Sequence, residues 1–145
     1  MGGDGDPVKS IYRILDANLN RAREGLRVVE EVCRFVLKDK KLTLSAKKLR
    51  GDLSKIIGGA EDWKTLIKAR KALKDVGRKL YTRSEGRRIK VKDIFTANIK
   101  RSQEAVRCLE EFSKMINPDL GKKFKAVRFK LYDIEKRGLR SLLLF

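Results

Sequence analysis

At 145 residues, 41% of them hydrophobic, the chain is long enough to close one core around a single domain. Its 37 Lys and Arg against 19 Asp and Glu leave a net charge of +18, which asks for an anionic partner: nucleic acid, a membrane surface or phosphorylated small molecules. The chain has no histidine, so the commonest general base, Ser–His and Cys–His nucleophile pairs and imidazole metal ligation are all excluded, and no apolar run approaches the ~18–20 residues of a membrane span.

In chain order, residues 1–9 read as a loose, Gly-rich leader, and residues 10–140 as one helical domain. Pro7 suits the first turn of a helix, and the pattern from Val8 to about Lys38 is helical, with Ile11, Leu15, Leu19, Ala22, Leu26, Val29, Cys33 and Val36 recurring at three or four. A second helix is expected from about Ser45 to Ile57, stopped by Gly58-Gly59. A third spans about Asp62 to Leu73, with Trp63 as its packing anchor. The basic stretch from Asp75 to Val91 reads as a loop. A fourth helix covers about Ile94 to Met115, ending before Asn117-Pro118, and a fifth about Leu120 to Arg137. Residues 141–145 form an apolar tail. Cys33 and Cys108 have the spacing of buried free thiols, which suits a reducing cytoplasm.

The chain repeats itself. Asp16 to Glu31 (DANLNRAREGLRVVEE) returns as Thr96 to Glu111 (TANIKRSQEAVRCLEE), with Asp16 and Thr96 both suited to an N-cap. The second helices match too: Leu49, Arg50, Leu53 and Ile56 align with Val127, Arg128, Leu131 and Ile134. The expected fold is therefore an all-α bundle of about five helices containing a duplicated αα-hairpin. Between the copies the polar residues hold their identity while the apolar ones drift, so function is expected on the polar positions.

On a helical wheel, Asn18, Arg21, Glu24 and Glu31 fall within or beside a widened apolar arc that includes Val28, Val32 and Phe35, whereas Arg27 and Glu30 point elsewhere. The second copy repeats this with Asn98, Arg101, Glu104 and Glu111. Intrahelical Arg–Glu pairs explain part of the pattern. The paired asparagines and the matching Arg50 and Arg128 go further, towards phosphate recognition: guanidiniums fork onto phosphate oxygens while carboxylates orient them or hold magnesium. Arg70, Asp75-Val-Gly77-Arg78 and Glu85-Gly-Arg87-Arg88 form a second basic cluster, a lid whose glycines bring backbone amides to a phosphate. The stretch Gly58 to Thr65 only half resembles a phosphate-binding P-loop: Trp63 replaces the second glycine and no strand precedes it.

The two long motifs together with Asp75-Val-Gly77 resemble the monofunctional hydroxymethylpyrimidine phosphate kinases, a small all-helical family found alone or fused to thiamine phosphate synthase. The likeness covers about residues 10 to 137. It implies a role in thiamine biosynthesis, with ATP and Mg²⁺ used to convert 4-amino-5-hydroxymethyl-2-methylpyrimidine phosphate to the diphosphate, in a standalone or excised domain located in the cytoplasm. Placed on the matched motifs, this chemistry puts Arg21, Glu24, Arg101, Glu104 and Asp75 in the catalytic centre, with Glu24, Glu104 and Asp75 as magnesium ligands. Asn18, Arg27, Arg50, Gly77, Arg78, Arg87, Arg88, Asn98, Arg107 and Arg128 would bind substrate or phosphate. Phosphoryl transfer to an anionic acceptor depends on positioning and charge neutralisation more than on a general base, which suits a chain without histidine.

Two alternatives stand beside this reading. A helical nucleic-acid-binding module fits the net charge, but the glutamates interleaved with the arginines would repel a phosphate backbone and aromatics are sparse. A non-catalytic partner domain of thiamine phosphate synthase is the other. Association with that synthase and self-association are both open.

Overall fold

The computed structural model describes residues 6–58, 60–80 and 86–144, with 60–63 described by backbone alone. Five α-helices form an all-α bundle: α1 (Pro7–Glu31), α2 (Lys40–Ile56), α3 (Ala60–Ala69), α4 (Val91–Ser113) and α5 (Pro118–Leu143). A π-helical turn (Val32–Val36) follows α1, and a short 3₁₀ turn (Ala72–Lys74) follows α3. No strand occurs among the described residues. None of their helices is long and apolar enough to cross a membrane.

Local chemistry sets the helix ends. Asp6 accepts the Val8 amide at 3.0 Å and Pro7 opens α1, so the helix takes in the last residues assigned to the leader. The π turn then carries Phe35 out to 60% exposure, away from the apolar arc in which the wheel had placed it. Lys38 adopts a left-handed φ of 53°, and Asp39 accepts the Leu42 amide at 2.9 Å. That cap starts α2 well before the expected Ser45. Asp16 and Thr96 lie inside α1 and α4, so neither is an N-cap. At the start of α4, Asp93 accepts the Lys90 amide at 3.0 Å. Asn117 does the same for Asp119 at 3.0 Å at the start of α5, which continues to Leu143 and absorbs much of the apolar tail. Gly59, Glu85 and the side chain of Trp63 lie outside the described residues, and with them the anchor expected of Trp63.

The helices α1 and α4 pack as a central pair, and α2 and α5 pack against them and against each other to complete a four-helix ring. Leu19, Ala22, Leu26 and Val29 of α1 meet Ile99, Val106 and Leu109 of α4 in a core completed by Leu49 and Leu53 of α2 and Phe124 and Leu131 of α5. Where the central pair crosses, the Ser102 hydroxyl donates to the Ala22 carbonyl at 2.9 Å, joining repeat-equivalent positions. Gly25 lets the backbones approach: a Cβ there would lie 2.5 Å from Ser102 Oγ and 2.8 Å from the Asn98 carbonyl oxygen. Helix α3 packs on α1 outside the ring. It has no counterpart in the duplication.

Gly25→Ala should cost about 1–3 kcal/mol, because the crossing must open to admit one methyl group. Gly51→Ala, where a Cβ meets nothing within 4 Å, should be neutral or stabilise by up to about 1 kcal/mol through helix propensity. Urea unfolding of both variants checks this, and equal losses at the two positions would show that the close approach does not govern packing.

Candidate functional site

The duplicated polar motif builds the same device twice. Asn18 Nδ2 donates to the Ile14 carbonyl at 2.9 Å and Asn98 Nδ2 to Ile94 at 2.8 Å, so both asparagines bond back onto their own helix. In the first half, Arg50 of α2 reaches Glu30 of α1 at 3.0 Å, and Arg27 pairs with Glu31 at 3.3 Å. In the second half, Arg128 of α5 reaches Glu110 of α4 at 2.8 Å, while Arg107 lies 3.3 Å from both Glu110 and Glu111. The wheel had turned Glu30 away from the core. It is buried with 4% exposure, as is Glu110, because each carboxylate takes an arginine from the neighbouring helix and thereby ties the hairpin together. Arg50 and Arg128 are thus engaged with acids of their own hairpins.

Burial pushes the Glu110 carboxyl up, but Arg128, Arg107 and Lys114 outweigh it and hold the group below its ordinary value of 4.5. In Cys33, burial foremost, aided by Asp39, pushes the thiol up to about 11, so it is not a nucleophile at neutral pH. Cys108 is half-buried.

The two halves diverge around Asp16. Its carboxylate receives a forked pair of bonds from Arg70, Nε to Oδ2 at 2.8 Å and Nη2 to Oδ1 at 2.7 Å. The carboxylate bond holds the Arg70 guanidinium still more firmly in its charged form. In this way the segment after α3 is clamped to α1, and a cavity of about 380 Å³ opens between them. Asn18, Arg21 and Asp75, all expected site residues, line it together with Arg13, Asp16 and Arg70. That volume is in the range of small-molecule sites. Asp75 Oδ1 accepts the Gly77 amide at 2.8 Å, so this amide is already occupied, and Arg78 N donates to the Asp75 carbonyl.

Other expected site residues lie elsewhere. Glu24, Arg27 and Arg50 line a separate cavity between α1 and α2. Arg101 and Glu104 are exposed on α4, Arg21 and Glu24 likewise on α1, so none of the four is enclosed by the apolar arc. Arg21 and Arg101 each stand one residue from the Ala22–Ser102 crossing. Arg78, Arg87 and Arg88 are exposed, with Arg88 donating to the Arg87 carbonyl. Glu24, Glu104 and Asp75 are not gathered into one metal cage: among the described residues no group of three or more His, Cys, Asp or Glu is placed to hold an ion. Arg13 carries no signal in the sequence, and Asp16 and Glu30 read there only as an N-cap and an outward-facing residue. The replacement of Asp16 by Thr96 in the second copy was the available signal that the first copy meets a partner the second lacks.

Residues 13–137 match the ThiD2 family. The chain belongs to the ThiD2 family. It is 44% identical over 127 residues to a thiamine-phosphate synthase of Nostoc punctiforme, covering 86% of this chain and 34% of that protein. It is 43% identical over 136 residues to the thiamine-phosphate synthase of Synechocystis, covering 92% and 38%. For the thiamine-phosphate synthase of Rhodopirellula baltica the figures are 38% over 124 residues, 86% and 33%. The chain therefore spans about a third of the length of these curated relatives. No solved structure matches it.

Glu110→Gln should destabilise the fold by about 3–5 kcal/mol, since it leaves the Arg128 guanidinium without its anion. The carboxyl is depressed in the folded state, so its stabilising effect is complete above about pH 4.5 and is lost as pH falls through the lower folded value. The stability gap between wild type and Glu110→Gln should narrow on acidification below 4.5. A gap independent of pH in urea unfolding would contradict this assignment.

Proposed function

We propose that this ThiD2 chain serves thiamine biosynthesis as a phosphate-handling domain that works with thiamine-phosphate synthase. The observation that carries this reading is the cavity where the Asp16–Arg70 clamp brings Asp75 onto the repeat residues Asn18 and Arg21. Arg13 and Arg21 supply cationic forks for phosphate oxygens, and Asn18 and Asn20 supply amide groups for a pyrimidine edge or a phosphate. Arg70 is pre-positioned by its carboxylate.

The finer reading is the kinase: ATP-dependent phosphorylation of hydroxymethylpyrimidine phosphate to the diphosphate. Mg²⁺ is ordinarily held by one or two carboxylates plus substrate phosphates. Asp75, with one oxygen not engaged by Gly77, suits that need, whereas Asp16 is occupied by Arg70. Transfer would then rest on charge neutralisation by Arg21 and its neighbours, with the substrate's own phosphate used for positioning.

The second reading is a non-catalytic partner domain of the synthase. It is favoured by the names of the curated relatives, in which the matching stretch is one part of a longer polypeptide. A coupled assay for ATP consumption separates the two. The kinase reading expects Mg²⁺-dependent turnover of the pyrimidine monophosphate and little action on the free alcohol. No turnover with either, alone or with a synthase present, would leave the partner role. Given turnover, Arg21→Ala should lower kcat by about a hundredfold or more, with Arg21→Lys rescuing poorly. An exposed side chain without an ion pair contributes little to stability, so the melting temperature should barely move. Arg101→Ala, measured beside it, reports whether the second half also contacts the reacting phosphates. Near-normal rates for Arg21→Ala would remove this cavity from the chemistry.

A further inference from the structure

The duplication allows the two halves to be compared position by position, and they differ most around the arginine of each second helix. In the second half Arg128 is fully engaged. Its Nε and Nη2 bond Glu110 at 2.8 and 3.3 Å, its Nη1 donates to the Tyr132 hydroxyl at 2.9 Å, and its guanidinium lies 5.3 Å from the Phe129 ring centre. In the first half, Gly51 and Ser54 stand where the second has Phe129 and Tyr132. Arg50 thus has no hydroxyl in the place of Tyr132; it makes one bond, from Nη2 to Glu30 at 3.0 Å, and its buried Nε has no partner. Arg23 also has a buried Nε without a partner; its counterpart Gln103 likewise has an unpartnered buried Nε2, there on a neutral amide. Beside these side chains lies a cavity of about 370 Å³ lined by Asn20, Arg23, Glu24, Arg27 and Arg50.

An unpartnered donor on a buried cation is costly, and two side chains that carry one line this cavity. Three guanidiniums and the Glu24 carboxylate line it, with Glu30 and Glu31 paired to Arg50 and Arg27. Arg27 is held only by intrahelical pairs with Glu31 at 3.3 Å and Glu30 at 3.9 Å, geometry that a stronger anion would replace. Forked donors from two helices suit phosphate oxygens, and three guanidiniums spread along one cavity suit a chain of phosphates more than a single one. Asn20 lines this cavity and the one at Arg70. The two are therefore neighbours along α1.

We propose that the cavity between α1 and α2 is a second phosphate subsite, unique to the first half, that takes the polyphosphate chain of a nucleotide-type ligand on Arg23, Arg27 and Arg50. This deepens the phosphate-handling reading and rests on it. The divergence of the halves gives each a different task. Both arginines close their hairpins, but the second half's has every nitrogen engaged, whereas Arg50 keeps a nitrogen unpartnered and lines the cavity.

Calorimetric titration of the full chain with inorganic tripolyphosphate, inorganic phosphate and ATP, at constant ionic strength, tests this. Tripolyphosphate and ATP should bind more tightly than phosphate. Arg23→Gln, which installs the second half's residue, should weaken both by about tenfold or more, the loss of at least one charged hydrogen bond. Ser54→Tyr, at an exposed position, should do the same by giving Arg50 the hydroxyl that engages Arg128, and it guards against a folding defect in the first variant. Wild-type affinity in both Arg23→Gln and Ser54→Tyr overturns the subsite. If turnover still falls with Arg21→Ala, the phosphate-handling reading survives that failure. If no probe binds and no turnover occurs, both fall.

Discussion

The close crossing of α1 and α4 sets the geometry of everything else. Gly25 has no side chain, and Ala22 and Ser102 have small ones, so the two helices approach until a backbone carbonyl of one accepts the buried hydroxyl of the other. Two large residues at that level would hold the helices apart and leave a void in a core that tolerates few. Because the contact joins repeat-equivalent residues, it also relates the two hairpins. Each brings its second helix onto the outside of the same central pair, and α2 and α5 then meet. Gly138 plays a similar part for Phe95, whose ring lies where a Cβ would stand.

The buried acid–arginine pairs come next in importance. Glu30 and Glu110 are nearly inaccessible, and an uncompensated carboxylate there would be expensive. Each takes its counter-ion from the following helix of its own hairpin, which fixes the register between the helices in a way that apolar contacts alone do not. This accounts for the polar positions being retained across the duplication while apolar partners drift. A Leu-to-Val exchange is absorbed by repacking, whereas a buried charge without its partner is not. The repeated Glu30–Arg50 and Glu110–Arg128 pairs therefore hold their hairpins together.

Function, in this reading, lies where the halves stop matching. Asp16 and Arg23, whose counterparts are Thr96 and Gln103, each line a cavity on the first half, and Gly51 and Ser54 stand where the second half has Phe129 and Tyr132. Helix α3 and the segment after it have no duplicate, and they dock on α1 through Arg70. A duplicated scaffold with one elaborated half is a direct route from a symmetric bundle to an asymmetric site.

The sequence by itself determined the all-α class, the duplicated hairpin and the burial of Leu19, Leu26, Val106 and Leu131, because the 3.6-residue period and an eighty-residue repeat are local signals in the chain. Its net charge of +18 raised the expectation of an anionic partner. Helix ends were less legible: Asp39 starts α2 and α5 runs through to Leu143, since capping depends on which neighbouring amide a short side chain reaches. Only the tertiary structure decided that Glu30 is buried, that Arg50 and Arg128 answer it and Glu110, and that Arg70 holds Asp16. The physical reason is the same in each case. An ion pair 18, 20 or 54 residues apart leaves no periodic trace, and a wheel reports one helix's own face but not the charge that the next helix brings to it.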